Sequence, residues 1–189
     1  MKNLYCFVGL SGSGKSTIVQ HLMEEFEGTK EVLSYTDRPR RGKDDKSHIF
    51  LNRREADEFL NEIKSNELSA YTEIDGCRYF ATIEQVMYCD YYVIDEVGLL
   101  RLKEMQLAGL LKKKFYVIKI KTDYEVARER MIRRDGRIKT SMRLSFDYVK
   151  RQEDFENLQC DLEITNNDID CLALNVKKIA KFIKEKEGF

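Results

Sequence analysis

The chain has 189 residues, with 33 basic and 33 acidic side chains and a formal net charge of zero. That length suits one domain able to bury a real core, and the balanced charge excludes a global field that would draw the protein to nucleic acid or an acidic membrane. Five cysteines, at 6, 77, 89, 160 and 171, are scattered and lack the close pairing of a zinc site, so they read as reduced thiols. No stretch approaches the roughly 20 apolar residues needed to cross a bilayer, and the first residues lack a signal-peptide cleavage pattern. The expectation is a soluble, cytoplasmic protein of unknown oligomeric state with a small-molecule partner.

In chain order, Leu4 to Val8 is a short apolar run of strand formers, and Ile18, Val19, Leu22, Met23 and Phe26 then repeat at the spacing of one helical face. Between them Gly9 to Ser16 (GLSGSGKS) matches GxxxxGK[ST], the phosphate-binding loop, in the strand-to-helix context that the motif requires. In such a loop the glycines let backbone N–H groups turn inward around phosphate oxygens, and the helix beginning near Lys15 adds its positive dipole end. The candidate nucleotide-binding residues are therefore Gly9, Ser11, Gly12, Ser13, Gly14, Lys15, Ser16 and Thr17. Lys15 is expected to reach the β- and γ-phosphates of ATP, and Ser16 to offer its hydroxyl to Mg²⁺.

Residues 34–82 are mixed and strongly charged, with a short helical pattern around Glu55 to Ile63, and read as an inserted acceptor lobe. The only proline, Pro39, stiffens a segment bearing Arg38, Arg40 and Arg41, whose planar forks suit a bidentate grip on phosphate. Tyr91 to Asp95 then reads as a buried strand, Val97 to Leu111 as a helix and Phe115 to Ile120 as a third strand, an alternation that predicts a parallel sheet. Asp95 ends its strand where ligand crevices lie in such sheets, and its spacing also suits a helix N-cap. Thr122 and Glu125 have capping-box spacing before a helix running to about Arg134, and Asp135 and Gly136 end it. An arginine-bearing loop, a helix over 144–158, a strand over 161–165 and a closing helix marked by Leu172, Val176, Ile179 and Ile183 complete the chain. One domain spans 1–189, with a core over 1–33, 83–134 and 144–189, the acceptor lobe over 34–82 and a lid over 135–143.

The order of these pieces resembles the guanylate kinase family: the loop at Gly9 to Ser16, the segment Ser34 to Arg41, the strand Tyr91 to Asp95, an arginine lid over Arg130 to Arg143, and Ile164-Thr165-Asn166-Asn167-Asp168. The resemblance implies a P-loop kinase of three-layer α/β/α architecture with a parallel sheet, using ATP and Mg²⁺. It implies that Ser34, Arg38, Arg41 (or Arg40), His48 and Tyr79 hold the acceptor's phosphate. Asp95 would lie near acceptor and metal, and Arg130, Arg134 and Arg143 would clamp the triphosphate and the transferring group. Lys15, Arg38, Asp95, Arg134 and Arg143 are the implied catalytic set.

The sequence departs from the family where guanine is read: a glutamate and a small hydroxyl residue correspond to Ala70 and Ala81, and Phe80 stands for a glycine. Glu73, Asp75 and Thr82 are nearby polar residues that could take their place. The implied activity is transfer of the γ-phosphoryl group to GMP or dGMP. A phosphosugar kinase of the ribose 1,5-bisphosphate phosphokinase type is the nearest alternative. A non-catalytic guanylate-kinase-like binding domain is a further one.

Overall fold

The computed structural model describes residues 1–147 and 151–189, with the side chains at 138, 139, 142, 146, 169 and 170 excepted. A parallel four-stranded sheet in the order β6-β1-β7-β8 forms the centre, from β1 (Leu4–Val8), β6 (Tyr91–Val93), β7 (Phe115–Lys121) and β8 (Leu162–Thr165). All five β1 residues are buried, and their alternation feeds two cores. Tyr5 and Phe7 join Ile18 and Leu22 of α1 (Lys15–Glu25) and Ile179 and Ile183 of α8 (Ile169–Glu187) on one face. Leu4, Cys6 and Val8 meet Val86 of α3 (Ile83–Tyr88), Leu99 and Leu102 of α4 (Glu96–Leu107) and Phe155 of α7 (Gln152–Glu156) on the other. This is the expected three-layer α/β/α arrangement. All five cysteines are free, and among the described residues no helix is long and apolar enough to cross a membrane.

The 34–82 segment carries more order than its charge pattern predicts. It holds a second sheet, β3-β2-β5-β4, from β2 (Tyr35–Thr36), β3 (Ile49–Phe50), β4 (Leu68–Ile74) and β5 (Cys77–Thr82), with α2 (Arg53–Glu62) packed beside it. β4 and β5 form a hairpin around Asp75 and Gly76, both at positive φ, the conformation that a tight Asp-Gly turn supplies. Tyr35, Phe59 and Phe80 make the lobe's aromatic core, with centroids 4.6 to 5.5 Å apart. Ala70 and Ala81 face the opposite way, into the cluster that holds Tyr92, Ile94 and Leu99, and so weld the lobe to the central sheet.

Two local expectations need correction. The lid is not a loop: after Gly136, α6 (Arg137–Phe146) forms because Thr140 and Leu144, four apart, give it a buried side. Thr122 forms no capping box with Glu125. The N-cap of α5 (Tyr124–Asp135) is Asp123, and the Thr122 hydroxyl instead donates to the carbonyl of Lys121 at 2.7 Å. The helix expected over 144–158 crosses 148–150, which lie outside the described residues, and α6 and α7 occupy its two ends.

Candidate active site

The turn between β1 and α1 is shaped by close approach. Gly12 and Gly14 hold φ of 81° and 87°, and a Cβ on them would lie 2.6 Å from the Ala127 carbonyl oxygen and 2.5 Å from Asn166 Nδ2. Only glycine combines that backbone with that clearance. From behind, Asn166 Nδ2 donates to the Ser13 carbonyl at 2.8 Å. Arg130 donates to the carbonyls of Asn166 at 2.8 Å, Asn167 at 3.1 Å and Gly12 at 3.4 Å. Arg130, expected on the triphosphate, is thus also a brace between the loop and the β8–α8 connection.

Lys15 Nζ folds over the loop, donating to the carbonyls of Gly9 at 2.5 Å and Leu10 at 3.0 Å and to Ser13 Oγ at 3.2 Å. Burial, and next the nearby Arg151 guanidinium, push its pKa down to about 7. Ser13 is buried beneath it, whereas Ser16 and Thr17 are exposed on the first turn of α1.

This loop opens onto a cleft of about 1190 Å³. Gly9, Ser11, Gly12, Gly14, Lys15, Ser16 and Thr17 line one wall, and Ser34, Arg41, His48, Tyr79 and Asp95 line the acceptor side, with Arg130, Arg134 and Arg143 between them. The elements thus bring together nearly every residue expected at the site. Ser13, buried under Lys15, and Arg38 do not line it: Arg38 pairs with the cleft residue Asp45 at 3.1 Å, lies over the Phe50 ring, and keeps a buried Nε with no hydrogen bond. His48 sits edge-on to Tyr79 and Phe50, and its Nδ1 is also buried without a partner. Burial, with Arg38 and Arg41 nearby, pushes its pKa down to about 4. Burial raises the Tyr79 hydroxyl above its ordinary value. The open Arg38 Nε–H is a buried donor of the kind that an incoming phosphate satisfies.

Asp95 caps α4 by accepting from the Gly98 N–H at 2.8 Å, and it also accepts from the Thr72 hydroxyl at 3.1 Å. Both bonds fall on Oδ1, so Oδ2 is left for a ligand. None of the three polar residues near Ala70 and Ala81, Glu73, Asp75 and Thr82, lines the cleft. Thr82 caps α3, Asp75 pairs with Arg143 at 3.4 Å, and Glu73 is exposed on the outer side of β4. The residue that does line the cleft between Ala70 and Ile74 is Thr72, which alternation along β4 would single out once that segment is known to be a strand.

The lid side is an ion-pair network. Arg143 Nε donates to Ser11 Oγ at 3.0 Å and lies 3.8 Å from Asp147 Oδ1, so α6 bridges the phosphate loop and, through Asp75, the tip of the acceptor lobe. Asp147 is fully buried and accepts from the Ser11 N–H at 2.7 Å. Burial alone would raise its pKa, but the Arg151 and Arg143 charges and the Ser11 amide outweigh this and hold it below the usual carboxylate range. Arg134 pairs with Asp135, which also meets Arg41 at 3.4 Å. Sequence patterns missed Asp147 and Arg151, and gave Glu96 only as the lesser alternative to its neighbour Asp95, because no local signal distinguishes an enclosed charge from a solvated one.

Comparison with known proteins matches the guanylate kinase family over residues 1–186. A guanylate kinase of Geobacter metallireducens is 28% identical over 136 residues, covering 68% of this chain and 63% of that protein. One from Bacteroides thetaiotaomicron is 36% identical over 84 residues, covering 43% of this chain and 40% of that protein. The alignments thus span less than two thirds of these relatives' length. The crystal structure of guanylate kinase from Anaplasma phagocytophilum superposes with a TM-score of 0.61 over 97% of this chain and 85% of that one, at 20% identity, a likeness of fold. Loop, lobe, lid and family match agree, and the chain belongs to the guanylate kinase family.

Proposed function

We propose that the protein is an ATP-dependent phosphotransferase that moves the γ-phosphoryl group of ATP to the phosphate of GMP or dGMP. The observation that carries this is one cleft with Lys15 and the phosphate loop on one wall and Arg41, His48 and Tyr79 on the other. Its volume exceeds the range of roughly 300 to 1,000 Å³ typical of a single small-ligand site, as a pocket for donor and acceptor together would. An oxygen of the acceptor's phosphate forms the new bond to the γ-phosphorus. The bond from that phosphorus to the β,γ-bridging oxygen breaks, and its electron pair leaves with ADP. An acceptor phosphate is already an anion near neutral pH, so the residues have positioning and charge neutralisation to supply and no proton to remove.

Lys15 and the loop amides hold the donor's phosphates, and Arg41, His48 and Tyr79 orient the acceptor's. The exposed Ser16 hydroxyl and Asp95 Oδ2 fit magnesium, a hard ion that takes few protein ligands and keeps its waters. When bound, magnesium neutralises charge on the β- and γ-oxygens.

For the base, the Thr72 hydroxyl spends its one donor on Asp95 Oδ1, so the pair presents acceptors, and guanine offers N–H donors on its N1 and N2 edge. The test is chromatographic detection of nucleoside diphosphate formed from ATP and GMP or dGMP. Formation by the natural chain and its loss in Lys15→Ala are expected, and equal formation by both would overturn the proposal.

A further inference from the structure

We infer that Arg151 is a further catalytic residue, a fixed arginine that contacts the γ-phosphoryl group beside the arginines of the lid; this rests on the phosphotransferase function proposed above. Arg151 stands one residue before α7, and α7 is fastened to the central sheet. Phe155 is buried in the core, Lys119 Nζ donates to the Glu156 carbonyl at 3.0 Å, and Lys121 pairs with Glu156 at 3.2 Å. Unlike Arg134 and Arg143, then, Arg151 is carried by the core.

Its guanidinium lies between the phosphate loop and the N-terminus of α4. Nε and Nη2 donate to Glu96 Oε2 at 3.0 and 2.6 Å, and Nη1 donates to Asp147 Oδ1 at 3.1 Å. Glu96 is the neighbour of Asp95, and Asp147 is the residue on the Ser11 amide. Arg151 therefore lines the cleft at the junction of donor and acceptor walls. Three of its five N–H donors are engaged by these carboxylates, and among the described residues two remain for a ligand.

Stability is a poor explanation for this cluster. Buried ion pairs seldom outperform apolar packing of the same shape, because desolvation offsets their attraction. This one is also incompletely satisfied, since Glu96 Oε1 is buried with no hydrogen-bond partner. Arg151, Arg143 and Lys15 all line the cleft beside the phosphate loop, where three cations repel one another. A multiply charged anion between them relieves that repulsion. The γ-phosphoryl group, which gathers charge on its peripheral oxygens during transfer, is the anion that belongs at this junction. Glu96 and Asp147 act as positioning residues that fix the plane of the guanidinium.

The test compares Glu96→Gln/Asp147→Asn, which keeps Arg151, with the same chain also carrying Arg151→Met, so that removing the arginine strands no buried carboxylate. Relative to the double variant, the triple variant is expected to lose at least about 100-fold in kcat, within the range known for such arginines. Its ATP affinity is expected to fall about tenfold while ADP affinity is retained, because the contact is to the γ-group alone. Arg151→Lys in the natural chain keeps the charge but not the fork, and is expected to lose about tenfold in kcat with unchanged unfolding temperature. A kcat within threefold of the reference in both comparisons, or equal losses for ATP and ADP, would overturn the inference. If the natural chain transfers phosphate to no acceptor, the proposed function fails separately, and the ATP-against-ADP comparison still decides the role of Arg151.

Discussion

Asn166 Nδ2 donates to the carbonyl of Ser13 across 153 residues of chain, so the shape of the phosphate loop depends on the last strand of the sheet. The same side chain accepts from Asn175 Nδ2 at 3.4 Å. Removing it in Asn166→Ala leaves the Ser13 carbonyl without its buried donor, an effect worth about 1 to 3 kcal/mol. Urea denaturation is expected to register that loss, and calorimetry a weaker ATP affinity. Unchanged values for both would mean that the loop holds its shape unaided.

Gly12→Ala is expected to be more severe for binding. The new methyl group would meet the Ala127 carbonyl in a backbone conformation with φ of 81° that alanine resists, at a combined cost above about 1 kcal/mol. Relief requires the loop to move off α5, and ATP binding should fall below detection by calorimetry while the chain remains folded by circular dichroism.

Lys15 predicts a proton linkage. Its pKa of about 7 in the ligand-free protein lies well below the ordinary lysine value near 10.4. Phosphate oxygens favour the charged form and restore the higher value, so between about pH 7 and 10 ATP binding should take up a proton, and affinity should decline as pH rises through that window. At pH 8, calorimetry in buffers of different ionisation enthalpy should report uptake of about one proton per ATP, and close to none in Lys15→Arg. Proton release on binding would contradict the assignment.

Thr72→Val removes the hydroxyl beside Asp95 while keeping its shape. For GMP or dGMP, kcat/KM is expected to fall about 10- to 100-fold, the effect of one buried hydrogen-bonding group, while ATP affinity stays constant. An unaffected kcat/KM would remove Thr72 from base recognition.

The phosphate loop and the central strands were legible because their signals are local: a fixed motif between β1 and α1, an apolar run at 91–93, and a run of strand formers at 115–120 broken only by Lys119. The lobe's sheet was not, since β2 and β3 have two residues each and show no periodicity. Its one strong local sign, the Asp75-Gly76 turn flanked by strand formers, was there to be read. The Arg151 network was illegible for a different reason. Glu96 meets Arg151 across 55 residues and Asp147 meets Ser11 across 136, whereas each alone resembles the solvated charges around it. Arg38 illustrates the same limit, because its pairing with Asp45 has no sign in the local pattern.

The most direct test of the central claim is the rate of ADP formation across GMP, dGMP, AMP, UMP, dTMP and ribose 1,5-bisphosphate, each compared with the rate without acceptor. GMP or dGMP is expected to exceed every other acceptor by at least about 100-fold in kcat/KM, with Thr72 and Asp95 supplying the discrimination. Preference for the sugar phosphate, or a rate that no acceptor raises above background, would contradict that claim.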